Sequence, residues 1–205
     1  MIFNKKLKLL CAWENDLFKE LSISEIIKLS KKKTKTWVFN SLKQLTKINL
    51  LILKRKSNLN LYQLNLNNPI LIQILQCLEL QEILNFKHLN IIQEIINNLP
   101  LKNYCLLIFG SYAQNKQTKD SDIDICFLVE DINSEKKIKS YINEIKMNHS
   151  VQMDDHYIYF NDFIEMLLRK EENLGKQIYK NHKIFFNHDM YYQLIKEAYK
   201  SGFRQ

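Results

Sequence analysis

"LLIFGSYAQNKQTKDSDIDICFLV" spans residues 106–129. It begins and ends on apolar runs, and one of only three glycines in the chain stands between them, followed at once by serine. Residues 104–109, YCLLIF, are an unbroken apolar run that predicts a buried strand. Residues 112–114 can start a short helix, and the polar stretch NKQTKDS leads to a second predicted strand over 123–129. In DIDICFLV the acids alternate with isoleucine, so strand periodicity sends Asp122 and Asp124 to one face and Ile123 and Ile125 to the other.

A glycine at a strand end lets the backbone approach a ligand closely, and the amides that follow it can hold phosphate. Two carboxylates on one strand face beside that phosphate suit hard divalent cations. The parts together predict a site for a nucleoside triphosphate and one or two Mg²⁺ (or Mn²⁺) ions. Such metals offset phosphate charge and activate an attacking oxygen.

Gly-Ser, ten residues, then Asp-x-Asp resembles the signature of the DNA polymerase beta-like nucleotidyltransferases, in particular their minimal branch. The signature itself covers 110–124, and the resemblance extends over 87–200. It implies that Gly110 and Ser111 bind the nucleotide and that Asp122 and Asp124 hold metal. It also implies a third carboxylate on a later strand. In HSVQMDDHYIYF, Val151 and Met153 facing the core would turn Gln152, Asp154 and His156 outward. Asp154 is therefore the candidate third catalytic acid beside Asp122 and Asp124. Asp155 is the alternative, because registers slip at strand ends. His156 is read either as a phosphate contact or as surface decoration, and Asp120 and Asp131 as solvated loop acids.

The rest of this half predicts helices over 87–99, 134–148, 160–170, 172–180 and 189–200. Tyr191, Tyr192 and Leu194 begin an apolar stripe in the last of them. These helices complete a small mixed sheet with helices on one face.

Upstream, charge is the informative quantity. Residues 1–65 hold 14 Lys+Arg against 4 Asp+Glu, a balance of +10. The remaining 16 against 18 leave −2, so the whole-chain +8 comes from the N-terminal third. That asymmetry implies two modules, one of which meets a polyanion. Residues 5–13 predict a short helix, and Ser22–Glu25 is a capping-box pattern opening another. After the polar turn 31–34, Thr34 can cap a third helix with Val38, Leu42, Leu45 and Ile48 facing inward. Two β-prone runs around a basic turn, 54–58, predict a hairpin.

That order resembles a winged helix-turn-helix over residues 4–66. The resemblance implies binding to double-stranded DNA. Lys35, Thr36, Asn40 and Lys43 would lie on the recognition helix, and Lys54, Arg55 and Lys56 at the wing tip.

Residues 67–86 form a helical connector. Its first helix, about 70–84, is so apolar that it must bury itself against the other module or a second chain, which would make a homodimer. The four cysteines (Cys11, Cys77, Cys105, Cys126) form no C-x-x-C pair and read as reduced core residues. No apolar run is long enough to span a bilayer, and the start has no signal-peptide pattern, so a cytoplasmic protein without membrane contact is expected.

The expected fold is α+β, with a winged helix at 1–66, a connector at 67–86 and a nucleotidyltransferase domain at 87–205. The expected function is Mg-dependent transfer of NMP, with ATP as donor. In some members of the resembling family the acceptor is a tyrosine of a HEPN ribonuclease in a toxin–antitoxin pair. The competing reading is a DNA-binding regulator whose second domain only senses nucleotide.

Overall fold

A computed structural model of the chain describes residues 5–14, 16–31 and 34–204. The chain folds as two compact units, residues 1–80 and 81–205. The polar turn expected at 31–34 lies partly outside the described residues, at 32 and 33.

In the first unit a 3-10 helix, Leu7–Trp13, precedes β1 (Leu21–Ser22), α1 (Ile23–Leu29), α2 (Lys35–Lys47), β2 (Leu51–Lys56), β3 (Leu59–Leu64) and most of α3 (Pro69–Ile83), whose residues 81–83 belong to the second unit. The strands form an antiparallel sheet in the order β1-β3-β2. The expected capping box opens α1: Ser22 Oγ accepts from Glu25 N, and Ser22 N donates to Glu25 Oε2 at 2.8 Å. Thr34 occupies the N-cap position of α2, but its side chain makes no cap hydrogen bond. Val38, Leu42 and Leu45 are buried as their spacing predicts. Ile48 is exposed instead, because the helix has ended and Ile48 is its C-cap. Likewise Leu71, Leu75 and Leu78 of α3 are buried, while Ile70 in the first turn is exposed.

The second unit runs α4 (Leu89–Asn98), β4 (Tyr104–Phe109), α5 (Gly110–Ala113), β5 (Ile123–Val129), α6 (Ile132–Asn148), β6 (Met153–Tyr159), α7 (Phe160–Leu168), α8 (Leu174–Lys180), β7 (His182–Phe186) and α9 (His188–Lys200). Its sheet has the order β6-β5-β4-β7. Only β5 and β6 are parallel, and α6 is the crossover that such a pair requires.

One sheet face packs Leu106, Ile108, Ile125 and Phe127 against Ile92 and Ile95 of α4 and Ile138 and Ile142 of α6. The sequence reading placed helices on this face only. In the structure Leu107, Cys126 and Leu128 on the other face are also fully buried, with α7 and α9 against it. The unbroken apolar runs of β4 and β5 have this cause, since a strand covered on both sides has no polar face.

Asp131 is exposed and lies outside the strand, as read, and its Oδ1 also accepts from Ser134 N at 2.8 Å and caps α6, which starts at Ile132. The segment between α8 and α9 contains the edge strand β7, which was not anticipated. It is five residues long, begins on His-Lys and shows no alternation of apolar and polar residues.

Candidate active site

β4 and β5 are antiparallel neighbours, so the end of β4 and the start of β5 lie at the same edge of the sheet. Phe109 leaves β4 in an extended conformation, and Gly110 turns the chain with φ +67°. Such a left-handed φ favours glycine. A second constraint acts at the same residue. A Cβ built on Gly110 would lie 1.9 Å from Asp124 Oδ2 and 2.8 Å from its Cγ. The group that approaches this glycine in the folded chain is therefore the Asp124 carboxylate. The turn closes tightly, with Lys116 N donating to the Ser111 carbonyl at 2.9 Å and Asn115 at φ +54°.

The parallel register of β5 and β6 pairs Asp124 with Asp154 and Ile125 with Asp155. The two adjacent acids thus take different surroundings. Asp154 lies on the face of Asp124. One ligand atom from each of Asp124, Asp154 and His156 lies within 4.8 Å of the others. Asp155 pairs instead with Lys146 of α6. Burial works to raise the Asp155 pKa, but the Lys146 ammonium and the Tyr157 hydroxyl together outweigh it and hold the carboxyl below its usual range. Asp122 is exposed and precedes β5, outside that close group.

Burial raises the pKa of Asp124, and the charges of Asp122 and Asp154 raise it further, with His156 opposing them. Like charges from Asp154 and, from outside the close group, Asp122 acting on the partly buried Asp124 favour a proton or a metal there. Two aligned carboxylate donors beside an imidazole fit a divalent cation in both charge and ligand type.

His156 Nε2 lies 3.1 Å from Asp154 Oδ2, which can accept a hydrogen bond from it, and the Phe109 ring meets its imidazole edge-on at 5.2 Å. Its placement beside the acids follows from the i, i+2 alternation of β6. Lys183 was missed with its strand. It pairs with Ile108 of β4, is 8% exposed, and donates to Asn115 Oδ1 at 2.8 Å, tying the exit of the Gly110 turn to β7. No signal short of recognising β7 would have found it.

In the first unit Lys35, Thr36, Asn40 and Lys43 are all exposed on α2. Lys54, Arg55 and Lys56 lie within β2, and the turn beyond them is only Ser57-Asn58. Lys54 and Lys56 share the carboxylate of Glu20, at 2.9 and 2.7 Å, and Arg55 points elsewhere and is exposed. Among the described residues no helix is long and apolar enough to cross a membrane.

Comparison with known proteins meets this geometry. Residues 90–191, which hold the Gly110 turn and Asp122, Asp124, Asp154 and Asp155, match the family model "Polymerase beta, Nucleotidyltransferase". Over residues 90–191 the second unit is therefore similar to nucleotidyltransferase domains of the polymerase beta kind. Among individual proteins, the chain is similar to one from Methanocaldococcus jannaschii named "Putative protein adenylyltransferase", at 30% identity over 99 residues. That match spans 48% of this chain and 66% of the relative. The solved "Crystal structure of the toxin-antitoxin with AMP-PNP" aligns with 55% of this chain and 84% of its own, at 16% identity and a TM-score of 0.36.

Proposed function

We propose that the second unit transfers AMP from ATP to a hydroxyl group on a protein, and that the first unit is a winged helix-turn-helix that binds duplex DNA. One observation carries the transfer reading. A left-handed glycine turn lies against Asp124, with Asp154 and His156 gathered around the same carboxylate. Gly110 and Ser111 take the phosphates. Asp122, Asp124 and Asp154 are the catalytic acids, and Asp122 and Asp124 hold Mg²⁺ or Mn²⁺. The cation, when bound, neutralises phosphate charge and lowers the pKa of the attacking group. The acceptor oxygen bonds to the α-phosphorus, the bond to the β-phosphate oxygen breaks, pyrophosphate leaves, and the hydroxyl proton is lost to solvent. Asp154 ligates the cation or orients the acceptor.

The printed name of the M. jannaschii relative supports a protein acceptor and an adenylyl donor. A tyrosine on a HEPN-type toxin in the cytoplasm is the acceptor that the family resemblance favours. DNA binding is supported by the +10 balance of residues 1–65, by the exposed polar residues of α2, and by the antiparallel hairpin that follows it.

The test is incubation of the full chain with Mg²⁺, cell lysate and ATP labelled on the α-phosphate. Labelled protein should appear with the wild type and not with Asp122→Asn/Asp124→Asn. Nucleotide that binds but is never transferred would move the reading to a DNA-binding nucleotide sensor.

A further inference from the structure

We infer that His156 is a direct ligand of the catalytic cation, and that it biases the site toward Mn²⁺ over Mg²⁺. The inference rests on the proposed metal-dependent transfer and concerns which residues complete its site. His156 follows Asp154 by two residues on β6, so both side chains leave the sheet on one face, the face of Asp124. The three ligand atoms lie within 4.8 Å of one another. Donors bound to one ion at roughly 2.1 Å sit about 3.0 Å apart when cis and about 4.2 Å when trans, and the 3.1 Å between His156 Nε2 and Asp154 Oδ2 already matches the cis spacing.

The imidazole is already oriented. Its Nε2 lies 3.1 Å from Asp154 Oδ2, and the buried Phe109 ring packs edge-on against it at 5.2 Å. That contact limits rotation, so little side-chain entropy is lost on ligation. Asp155, the other polar neighbour on the strand, is held on the opposite face by Lys146 and offers no competing donor.

Ligand chemistry then sets the preference. Mg²⁺ takes oxygen ligands and keeps its waters, and an all-carboxylate site serves it well. A nitrogen donor adds affinity for transition metals, and Mn²⁺ accepts carboxylate and imidazole together.

Mn²⁺ itself is the probe, added to the full-length chain and followed by electron paramagnetic resonance. The bound ion should show nitrogen-14 modulation in the electron spin-echo envelope, the signature of a coordinated imidazole. His156→Gln should lose that modulation and bind Mn²⁺ about tenfold more weakly. Mg²⁺ affinity, measured by competition, should change by no more than about threefold, so the Mn²⁺/Mg²⁺ ratio falls. Bound Mn²⁺ without nitrogen modulation in the wild type would overturn the inference while leaving the transfer reading intact. So would equal losses for both metals in His156→Gln, which would make His156 only a support for Asp154. Modulation that persists in His156→Gln would assign the nitrogen to another residue and overturn it as well. A wild-type chain that leaves all the Mn²⁺ free would overturn the metal-dependent transfer reading together with this one.

Discussion

Replacing Gly110 by alanine tests the packing at the centre of the site. Two costs are expected, and they can be separated. The first is conformational: φ is +67°, where an L-residue with a Cβ is disfavoured by about 1–2 kcal/mol. The second is steric. The new Cβ would sit 1.9 Å from Asp124 Oδ2, and the carboxylate would have to retreat by about 1.5 Å to reach ordinary contact near 3.4 Å. Misplacing a reacting group by about 1 Å costs on the order of 100-fold in rate, so turnover should fall at least that far. Urea unfolding measures the stability change, and release of labelled pyrophosphate measures turnover. The same substitution in an Asp124→Ala background isolates the steric part. There the nearest remaining atom is the residue 124 Cβ at 3.4 Å, and only the conformational cost should persist. Equal stability costs in both backgrounds, or a Gly110→Ala enzyme within about twofold of wild-type turnover, would refute the argument that Asp124 requires this glycine.

Asp124→Asn should be more stable than the wild type at pH 7. The Asp124 pKa is raised by burial and by Asp122 and Asp154, so its contribution to stability is present below the ordinary carboxylate range and is lost as pH rises through the folded value. The advantage should therefore shrink toward pH 4, as urea titrations at both pH values would check. Millimolar Mg²⁺ should raise the melting temperature of the wild type and not of Asp122→Asn/Asp124→Asn, and excess chelator should reverse the gain. Asp154→Ala should lower turnover with little loss of stability, whereas Asp155→Ala leaves the partly buried Lys146 unpaired and should cost about 1–3 kcal/mol. The reverse ordering would contradict the β5–β6 register. Salt titration of DNA binding by fluorescence anisotropy should show Arg55→Ala flattening the slope by roughly one unit. Lys54→Ala and Lys56→Ala should each do less, because Glu20 already neutralises part of their charge.

Local chemistry determined the parts of this site that lie within one stretch of chain. The left-handed glycine turn and the placing of Asp124 at the start of β5 were legible because spacing, strand periodicity and glycine's backbone freedom are properties of neighbours in sequence. The same holds for the capping box at Ser22 and Glu25 and for the buried face of α2. Only the tertiary structure separated Asp154 from Asp155, because the difference is a one-residue register between strands joined by the whole length of α6. It also revealed that Gly110 makes room for a carboxylate 14 positions along the chain, and that His156 joins the acids. It added β7 with Lys183, and it laid helices against both faces of the sheet. Each of these rests on contacts between distant segments, whose formation depends on how the sheet is covered and ordered, and periodicity within a single segment carries no record of that.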